Sequence, residues 1–434
     1  LKAPIFCLVF TVQFLIYNQS SAQTLYFPTQ NNWDTVTPAS LGWCNQYIDT
    51  LFTYLDSNKT KAFVLLKDGK IAIEKYFGGF TKDSVWYWAS AGKSLTSFMI
   101  GIAQQEGLMS INDSTVQYLG SGFTSCAASD ENEITIRHQL TMTTGLDDGV
   151  PDNHCTLDTC LIYKAQAGSR WAYHNAPYTL LDSVMEVATG QSLNGYLFSK
   201  LNATGIAGVF LPSGYNYIFY SKPRSMARFG LLMNAGGVWD GNIIMTDTGY
   251  FNQMTSTSQA LNASYGYLWW LNGKSSYMLP QTQFTFQGML FPNAPSDMYA
   301  ALGKNGQIIN VVPSQNLVVI RMGETASAGN SVPTAFNDSI WGLLNQIICN
   351  AGSIQSISAS DFELYPNPTK TTAVLKSKQG IDKLEICSVT GEVMQTFNKV
   401  PTTFVLPKLP AGVYFLKAYI YKSVFNFRFI CVED

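Results

Sequence analysis

Apolar residues recur at helical spacing from about Leu41 to Leu55, and the spacing then shortens to that of strands over Ala62–Leu66 and Ile71–Phe77. Asp68 and Gly69 stand between these two strands. Both central residues of a type I′ turn take positive φ, which Asp-Gly tolerates, so the pair predicts a hairpin. A second pair of strands, Gln307–Val312 and Leu317–Met322, is separated by Pro313, Ser314, Gln315 and Asn316. Between the two β regions the pattern is largely helical, and a last helix is predicted at about Ala335–Ile348. Strands at both ends of a helical middle predict one antiparallel sheet assembled from distant chain segments, with a helical region beside it. The fold class is α/β in the broad sense, of the α+β kind.

From Asn350 to Asp361 a Ser-rich polar stretch reads as a linker, and beyond it short β-type runs broken by Pro and Gly predict a small sandwich. At the other end, Lys2, the apolar run Ile5–Tyr17 and the small residues Ser20, Ser21 and Ala22 have the form of an export signal. The expected organisation is a signal over 1–22, a main domain over 23–350, a linker over 351–361 and an all-β tail over 362–434. The length of 434 residues suits more than one domain, and 46% hydrophobic against 13% charged residues argues for folded rather than disordered chain. A net charge of −2 gives no electrostatic reason to bind nucleic acid or anionic membrane, and no run has the length of a transmembrane helix.

Eight cysteines fit an oxidising compartment. Cys155 and Cys160 flank a short loop and are the easiest pair to join, while Cys44 and Cys349 lie near the two ends of the central region; the connectivity itself stays open. With three histidines and no Cys-x-x-Cys pair, neither a metal nor a cofactor is expected.

The candidate chemistry begins at Ser90. Ser90, Ala91, Gly92 and Lys93 precede Leu95, Phe98, Met99, Ile102 and Ala103, which are spaced as the apolar face of an amphipathic helix. Three residues make nearly one turn, so Ser90 and Lys93 project from the same side, at the positive end of the helix dipole. A serine hydroxyl is a weak nucleophile until a neighbouring base takes its proton. Ser-x-x-Lys alone is expected by chance about once or twice in such a chain. Here it is followed by Tyr173-His174-Asn175 and by Lys304-Asn305-Gly306, which runs into the strand predicted at Gln307.

In that order, and together with the segments 134–146 (ITIRHQLTMTTGL), 168–173 (GSRWAY), 227–232 (ARFGLL) and 303–307 (GKNGQ), these elements resemble the serine β-lactamase and penicillin-recognising enzyme family. The likeness is to its class C β-lactamase, D,D-peptidase and esterase branch. It implies a β-lactamase-like antiparallel sheet flanked by helices, with a helical subdomain. It also implies that Ser90 is acylated, that Lys93 shares its proton, and that Tyr173 acts as base or relay with its phenolate favoured by nearby lysines. Asn175 would hold Lys93 and the substrate amide, and the backbone N–H groups of Ser90 and Gln307 would form an oxyanion hole. Lys304 would hold an anionic substrate group or tune Tyr173. Asn305 and Gly306 would lie along the substrate, where a side chain at Gly306 would block it. The family's third motif usually carries Thr or Ser where this chain has Asn305, which leaves the substrate class open.

Other residues read more plainly. His174 is expected to pack, His138 to belong to a structural helix before Gly145, and Trp86, Tyr87, Trp88, Trp269 and Trp270 either to line a cleft or to fill the core. The segments 364–368 (LYPNP), 388–393 (SVTGEV) and 409–415 (LPAGVYF) resemble the sorting domain of type IX secretion substrates. That resemblance implies a Bacteroidetes-type organism and a secretion machinery as partner. The expected function is a secreted or cell-surface serine hydrolase that opens amide or ester bonds of a small-molecule or peptide-like acyl substrate through a Ser90 acyl-enzyme. The alternative is a penicillin-recognising binding or sensor protein with little or no turnover.

Overall fold

The computed structural model describes residues 25–324, 332–349, 362–377, 380–420 and 423–433. The signal expected over 1–22 and the linker over 351–361 lie outside the described residues. The chain divides into two compact units, one up to Ile347 and one from Ile348.

In the first unit, helix α1 (Ile48–Ser57) leads into strands β1 (Thr60–Lys67) and β2 (Lys70–Tyr76). Between them Asp68 and Gly69 take φ of 52° and 83°, as the turn chemistry requires. The predicted helix from Leu41 is interrupted: Gly42 turns left-handed at φ 73°, and two short 3-10 turns, Pro38–Leu41 and Asn45–Tyr47, precede α1. The chain continues through α2 (Gly92–Gln105), α3 (Asn175–Thr189), α4 (Pro223–Asn234), β3 (Trp270–Leu271), β4 (Tyr299–Gly303), β5 (Gln307–Val312), β6 (Leu317–Gly323) and α5 (Thr334–Ile348).

The six strands form one antiparallel sheet in the order β2-β1-β6-β5-β4-β3, so β1 pairs directly with β6 from the far end of the unit. Every residue of β5 and β6 is buried, which explains why both read as continuous apolar runs rather than alternating ones. Helix α4 packs on β1, β5 and β6, and Gly230 makes the approach possible, since a Cβ there would lie 2.4 Å from Val318.

Helix α2 departs from its amphipathic reading. From Gly92 to Ala103 it is buried all round, polar Lys93, Ser94, Thr96 and Ser97 included. It runs between α3 and the short helix Thr248–Met254, and Gly101 leaves the space that Tyr250 fills, a Cβ there lying 2.4 Å from the Tyr250 ring.

The second unit is all β: β7 (Phe362–Tyr365), β8 (Val374–Ser377), β9 (Ile381–Cys387), β10 (Val393–Val400), β11 (Thr403–Val405), β12 (Gly412–Ile420) and β13 (Ser423–Cys431). They form two sheets, ordered β7-β8-β11 and β10-β9-β12-β13, around a shared core that includes Phe362, Leu375, Leu384, Leu416 and Phe429. Cys387 and Cys431 are buried thiols in this unit. Elsewhere Cys155 is bonded to Cys160, Cys44 and Cys349 are disulfide-bonded, and Cys126 is free.

Candidate active site

The backbone before Ser90 is held firmly. Trp88 is fully buried, its indole N–H donates to Ser221 Oγ at 2.8 Å, and its amide donates to Phe219 O at 2.8 Å. Ala89 then takes φ 46°, a left-handed conformation that alanine adopts at a cost and that the surrounding packing must enforce. Ser90 sits in the 3-10 turn Ala89–Ala91, which runs straight into α2. The serine therefore precedes the helix by a turn of different pitch, with Lys93 as the second residue of α2.

Lys93 Nζ lies 2.9 Å from Ser90 Oγ and 3.0 Å from Asn175 Oδ1. Asn175 opens α3, so the start of one helix is tied to the start of another. The amine also sits 5.3 Å from the centre of the Tyr173 ring and 4.3 Å from that of Tyr178. Burial lowers the Lys93 pKa to about 7, and the nearby Asp182 carboxyl partly opposes this. An amine so placed is substantially neutral near neutral pH, the form in which it accepts a proton.

Tyr173 behaves oppositely to the expected phenolate. Burial pushes its hydroxyl up to about 12, with the Ser90 side chain offsetting only part of the effect. Burial thus favours the protonated phenol, while it leaves the Lys93 amine the group beside Ser90 that titrates near neutral pH. The Tyr173 ring stacks on buried Trp270 at 5.8 Å, and Trp88, Trp269 and Trp270 are all core residues rather than cleft walls.

The third motif is brought to Ser90 by Gly303: a Cβ there would lie 2.3 Å from Trp88 O and 2.9 Å from Ala91 N. Lys304–Gly306 then forms a 3-10 turn in which Asn305 takes φ 65°. Asparagine visits that region more readily than a β-branched residue, which accounts physically for Asn305 in place of threonine. The Asn305 amide donates to the Tyr87 hydroxyl at 2.6 Å, away from the pocket. Gly306 faces inward as well: a Cβ would meet Arg321 Nη1 at 2.6 Å and Phe336 at 3.3 Å. On that side the space is filled by the Arg321 guanidinium. Gln307 is fully buried and its side chain is committed to Gly323, donating to its carbonyl at 2.6 Å and accepting from its amide at 3.1 Å.

Ser90, Tyr173, Asn175 and Lys304 open together onto a pocket of about 390 Å³, whose rim includes Asp152 and Gln281. Lys304 is exposed there. Neither Asn305 nor Gly306 lines this pocket. His174 is buried with both ring nitrogens unpartnered, and burial lowers its pKa to about 4, which suits a packing role. His138 belongs to the helix Ile136–Leu140, where it completes a capping box with Thr135.

Several residues that shape the site carry no pattern in the sequence. The Asn175 amide donates to Asn153 Oδ1 at 2.9 Å and approaches His154 Nε2 at 3.4 Å, while His154 Nδ1 lies 3.0 Å from Asn216 Oδ1. These bonds turn Asn175 so that its oxygen faces Lys93. The Cys155–Cys160 disulfide follows directly and closes the loop. Replacing both cysteines by serine is expected to cost up to about 2 kcal/mol of stability, as a short closed loop allows. It is also expected to lower kcat/KM several-fold by freeing Asn153 and His154; thermal melting and steady-state kinetics of the double variant check both effects.

An antiparallel sheet with a serine, a buried lysine and a tyrosine gathered at the meeting of two helix starts defines a class of hydrolase-like architecture, and the comparisons place the chain within it. Residues 59–332 match the Beta-lactamase family model, and the chain belongs to that family. Residues 363–431 match the Secretion system C-terminal sorting domain, which marks the chain as a secreted or cell-surface protein handled by type IX secretion machinery. Among the described residues no helix is long and apolar enough to cross a membrane.

An uncharacterized protein of Alkalihalophilus pseudofirmus is 23% identical over 306 residues, covering 62% of this chain and 84% of the relative. Among solved structures, a putative 6-aminohexanoate-dimer hydrolase from Bacillus anthracis is similar at TM-score 0.55 and 17% identity, over 75% of this chain and 91% of the other. A putative beta-lactamase from Bacteroides dorei is similar at TM-score 0.56 and 15% identity, over 71% of this chain and all (100%) of the other. A family VIII carboxylesterase is similar at TM-score 0.52 and 13% identity, over 72% and 98%. At these identities the likeness is one of fold.

Proposed function

We propose that this chain is a secreted serine hydrolase that cleaves amide or ester bonds through an acyl-enzyme on Ser90. The observation that carries the proposal is the Lys93 amine, buried, lowered to about 7 and held 2.9 Å from Ser90 Oγ by its bond to Asn175. As Ser90 Oγ bonds to the acyl carbon, its proton passes to Lys93. The tetrahedral oxyanion takes the backbone N–H groups of Ser90 and Gln307. On collapse, the leaving group takes the Tyr173 hydroxyl proton, and the Lys93 ammonium returns a proton to the phenolate. The balance is an acylated Ser90, a free amine or alcohol, and both helpers restored to neutrality.

Hydrolase, beta-lactamase and carboxylesterase names among the structural neighbours support the same reaction class without choosing among its substrates. Turnover of a p-nitrophenyl ester, a β-lactam and a D-amino-acid amide, each with wild type and Ser90→Ala, tests the proposal. Steady turnover lost in Ser90→Ala supports it. Full turnover in Ser90→Ala on an accepted substrate overturns it, and a burst with no steady phase would instead indicate a slow-acylating sensor.

Lys304 is the exposed cation of the pocket and the natural seat for a substrate carboxylate. Lys304→Ala is expected to lower kcat/KM about five- to ten-fold for substrates carrying a carboxylate, the worth of one partly exposed charge contact, and to leave neutral esters within about two-fold. Equal losses on matched charged and neutral substrates would remove this role.

A further inference from the structure

The loop that leads from Asp147 to His154 supplies one wall of the Ser90 pocket, and its three carboxylates are not alike. Asp147 lies 3.3 Å from Lys164 Nζ and Asp148 lies 2.6 Å from Arg170 Nη2, so each is answered by a cation of the chain itself. Asp152 is exposed on the pocket rim and enters no ion pair among the described residues. Its Oδ1 accepts the His154 amide at 3.0 Å, which holds the side chain on the loop and leaves Oδ2 open. Lys304, exposed on the same pocket, is likewise without an ion pair among the described residues. The two charges reach Ser90 by different routes. Lys304 follows Gly303, whose backbone closes on Trp88 O and Ala91 N at the Ser90 turn. Asp152 precedes Asn153, which bonds Asn175, the partner of Lys93. Ser90 therefore stands between a wall with an unanswered cation and a wall with an unanswered anion. Val150, Pro151, Pro280 and Gln281 add no charge to the lining, and His154 is engaged with Asn175 and Asn216. At about 390 Å³ the space is toward the small end for a ligand pocket, so one small molecule seated at Ser90 meets both charges.

We propose that Asp152 is the seat of a substrate ammonium group, and that the substrates of this pocket are short amides charged at both ends, the size of a dipeptide with free amino and carboxyl termini. This inference rests on the Ser90 acyl-enzyme reading above and adds a second charge to the carboxylate seat at Lys304. Opposite charges on two walls orient such a molecule, with its ammonium toward Asp152, its carboxylate toward Lys304 and its amide carbon over Ser90 Oγ. Attack by Ser90 leaves the ammonium-bearing half as an ester on the serine and releases the carboxylate-bearing half as a free amine. Water then cleaves the ester, and the sum is one dipeptide and one water giving two amino acids. The same pair of charges discriminates: a dicarboxylate sets one of its ends against Asp152, and a diamine sets one against Lys304.

The test compares kcat/KM for alanyl-alanine, in its D,D and L,L forms, with that for isobutyryl-alanine of matching chirality, in which a methyl group replaces the ammonium. Released alanine is measured for wild type, D152N and D152K, with Ser90→Ala as control. D152N retains an oxygen for the His154 amide, so the loop keeps its bond. The expected result is a wild-type preference of about three- to five-fold for the substrate with the ammonium, the worth of one exposed charge contact, falling to about unity in D152N and reversing in D152K. A preference equal in wild type and D152N overturns the proposal, since a purely structural Asp152 would lower both substrates together and leave their ratio in place. Wild type that a fluorophosphonate labels at Ser90 but that hydrolyses no free dipeptide also overturns it. Ser90→Ala protein that hydrolyses the dipeptide as fast as wild type would instead sink the underlying reading, so the two failures are distinct.

Discussion

Replacing Lys93 with alanine is expected to slow acylation of Ser90 by roughly three orders of magnitude, the middle of the range that a positioned general base contributes. Tyr173, the other group beside Ser90, is held as a phenol with its pKa near 12, so it cannot accept the proton in the resting site. His174 has its ring nitrogens buried and unpartnered, and it does not line the pocket. The pH profile carries the same information with a definite sign. Below about pH 7 the wild-type Lys93 takes up a proton and loses its capacity as a base, so kcat/KM should fall about tenfold per pH unit toward acid. Lys93→Ala should lose that limb altogether. A variant that kept both rate and limb would assign the base to another residue.

The second large effect is expected at Arg321, which touches no substrate. It is fully buried, donating from Nη1 to Asn305 O at 2.7 Å and Gly306 O at 3.0 Å, and from Nη2 to Asn58 O at 2.6 Å and Glu324 O at 3.1 Å. Its Nε donates to Thr60 Oγ1 at 3.0 Å. One side chain thus ties the Lys304–Gly306 turn to the end of β6 and the start of β1. Burial lowers its pKa to about 9, still well above physiological pH, so the guanidinium stays charged and its donors keep their carbonyls. Arg321→Met preserves much of the volume while removing a donor from each of four carbonyls, of which only Asn305 O keeps another side-chain donor, Gln307 Nε2 at 3.4 Å, and should cost about 3–5 kcal/mol. Urea unfolding measures it. A loss under about 1 kcal/mol with unchanged kinetics would mean that water satisfies those carbonyls and that the turn stands without them.

What was legible in the sequence was what local chemistry dictates. Asp68-Gly69 announced its turn because few other pairs take two positive φ values in succession, and β5 and β6 announced themselves by apolar run and intervening turn. Strand β4 and the two-residue β3 did not, because Tyr299–Gly303 is short, small-residued and bounded by no distinctive turn. The helical spacing after Ser90 marks a helix with an apolar face, and it does not show that the polar face is buried too. Its polar residues are buried by partners from α3 and the Thr248–Met254 helix, which no local pattern reveals.

The site divides along the same line. The motifs point to Ser90, Lys93, Tyr173, Asn175 and Lys304, and the structure brings Ser90, Tyr173, Asn175 and Lys304 to one pocket with Lys93 bonded to Ser90 and Asn175. At Gly306 the space left by the missing side chain faces Arg321, 15 residues away in sequence. Arg321 lies within an apolar strand. Asn153 and His154 lie in a loop whose residue types suit any turn. Their roles arise from packing between elements, and spacing along one element carries no trace of them.

The central claim is that Ser90 is an activated nucleophile. Intact-mass spectrometry of the protein after brief exposure to a fluorophosphonate, followed by peptide mapping, tests it most directly. A single stoichiometric adduct on Ser90 is expected, absent in Ser90→Ala and slowed roughly a thousand-fold in Lys93→Ala. No adduct on Ser90, or an adduct of equal rate in Lys93→Ala, would contradict it.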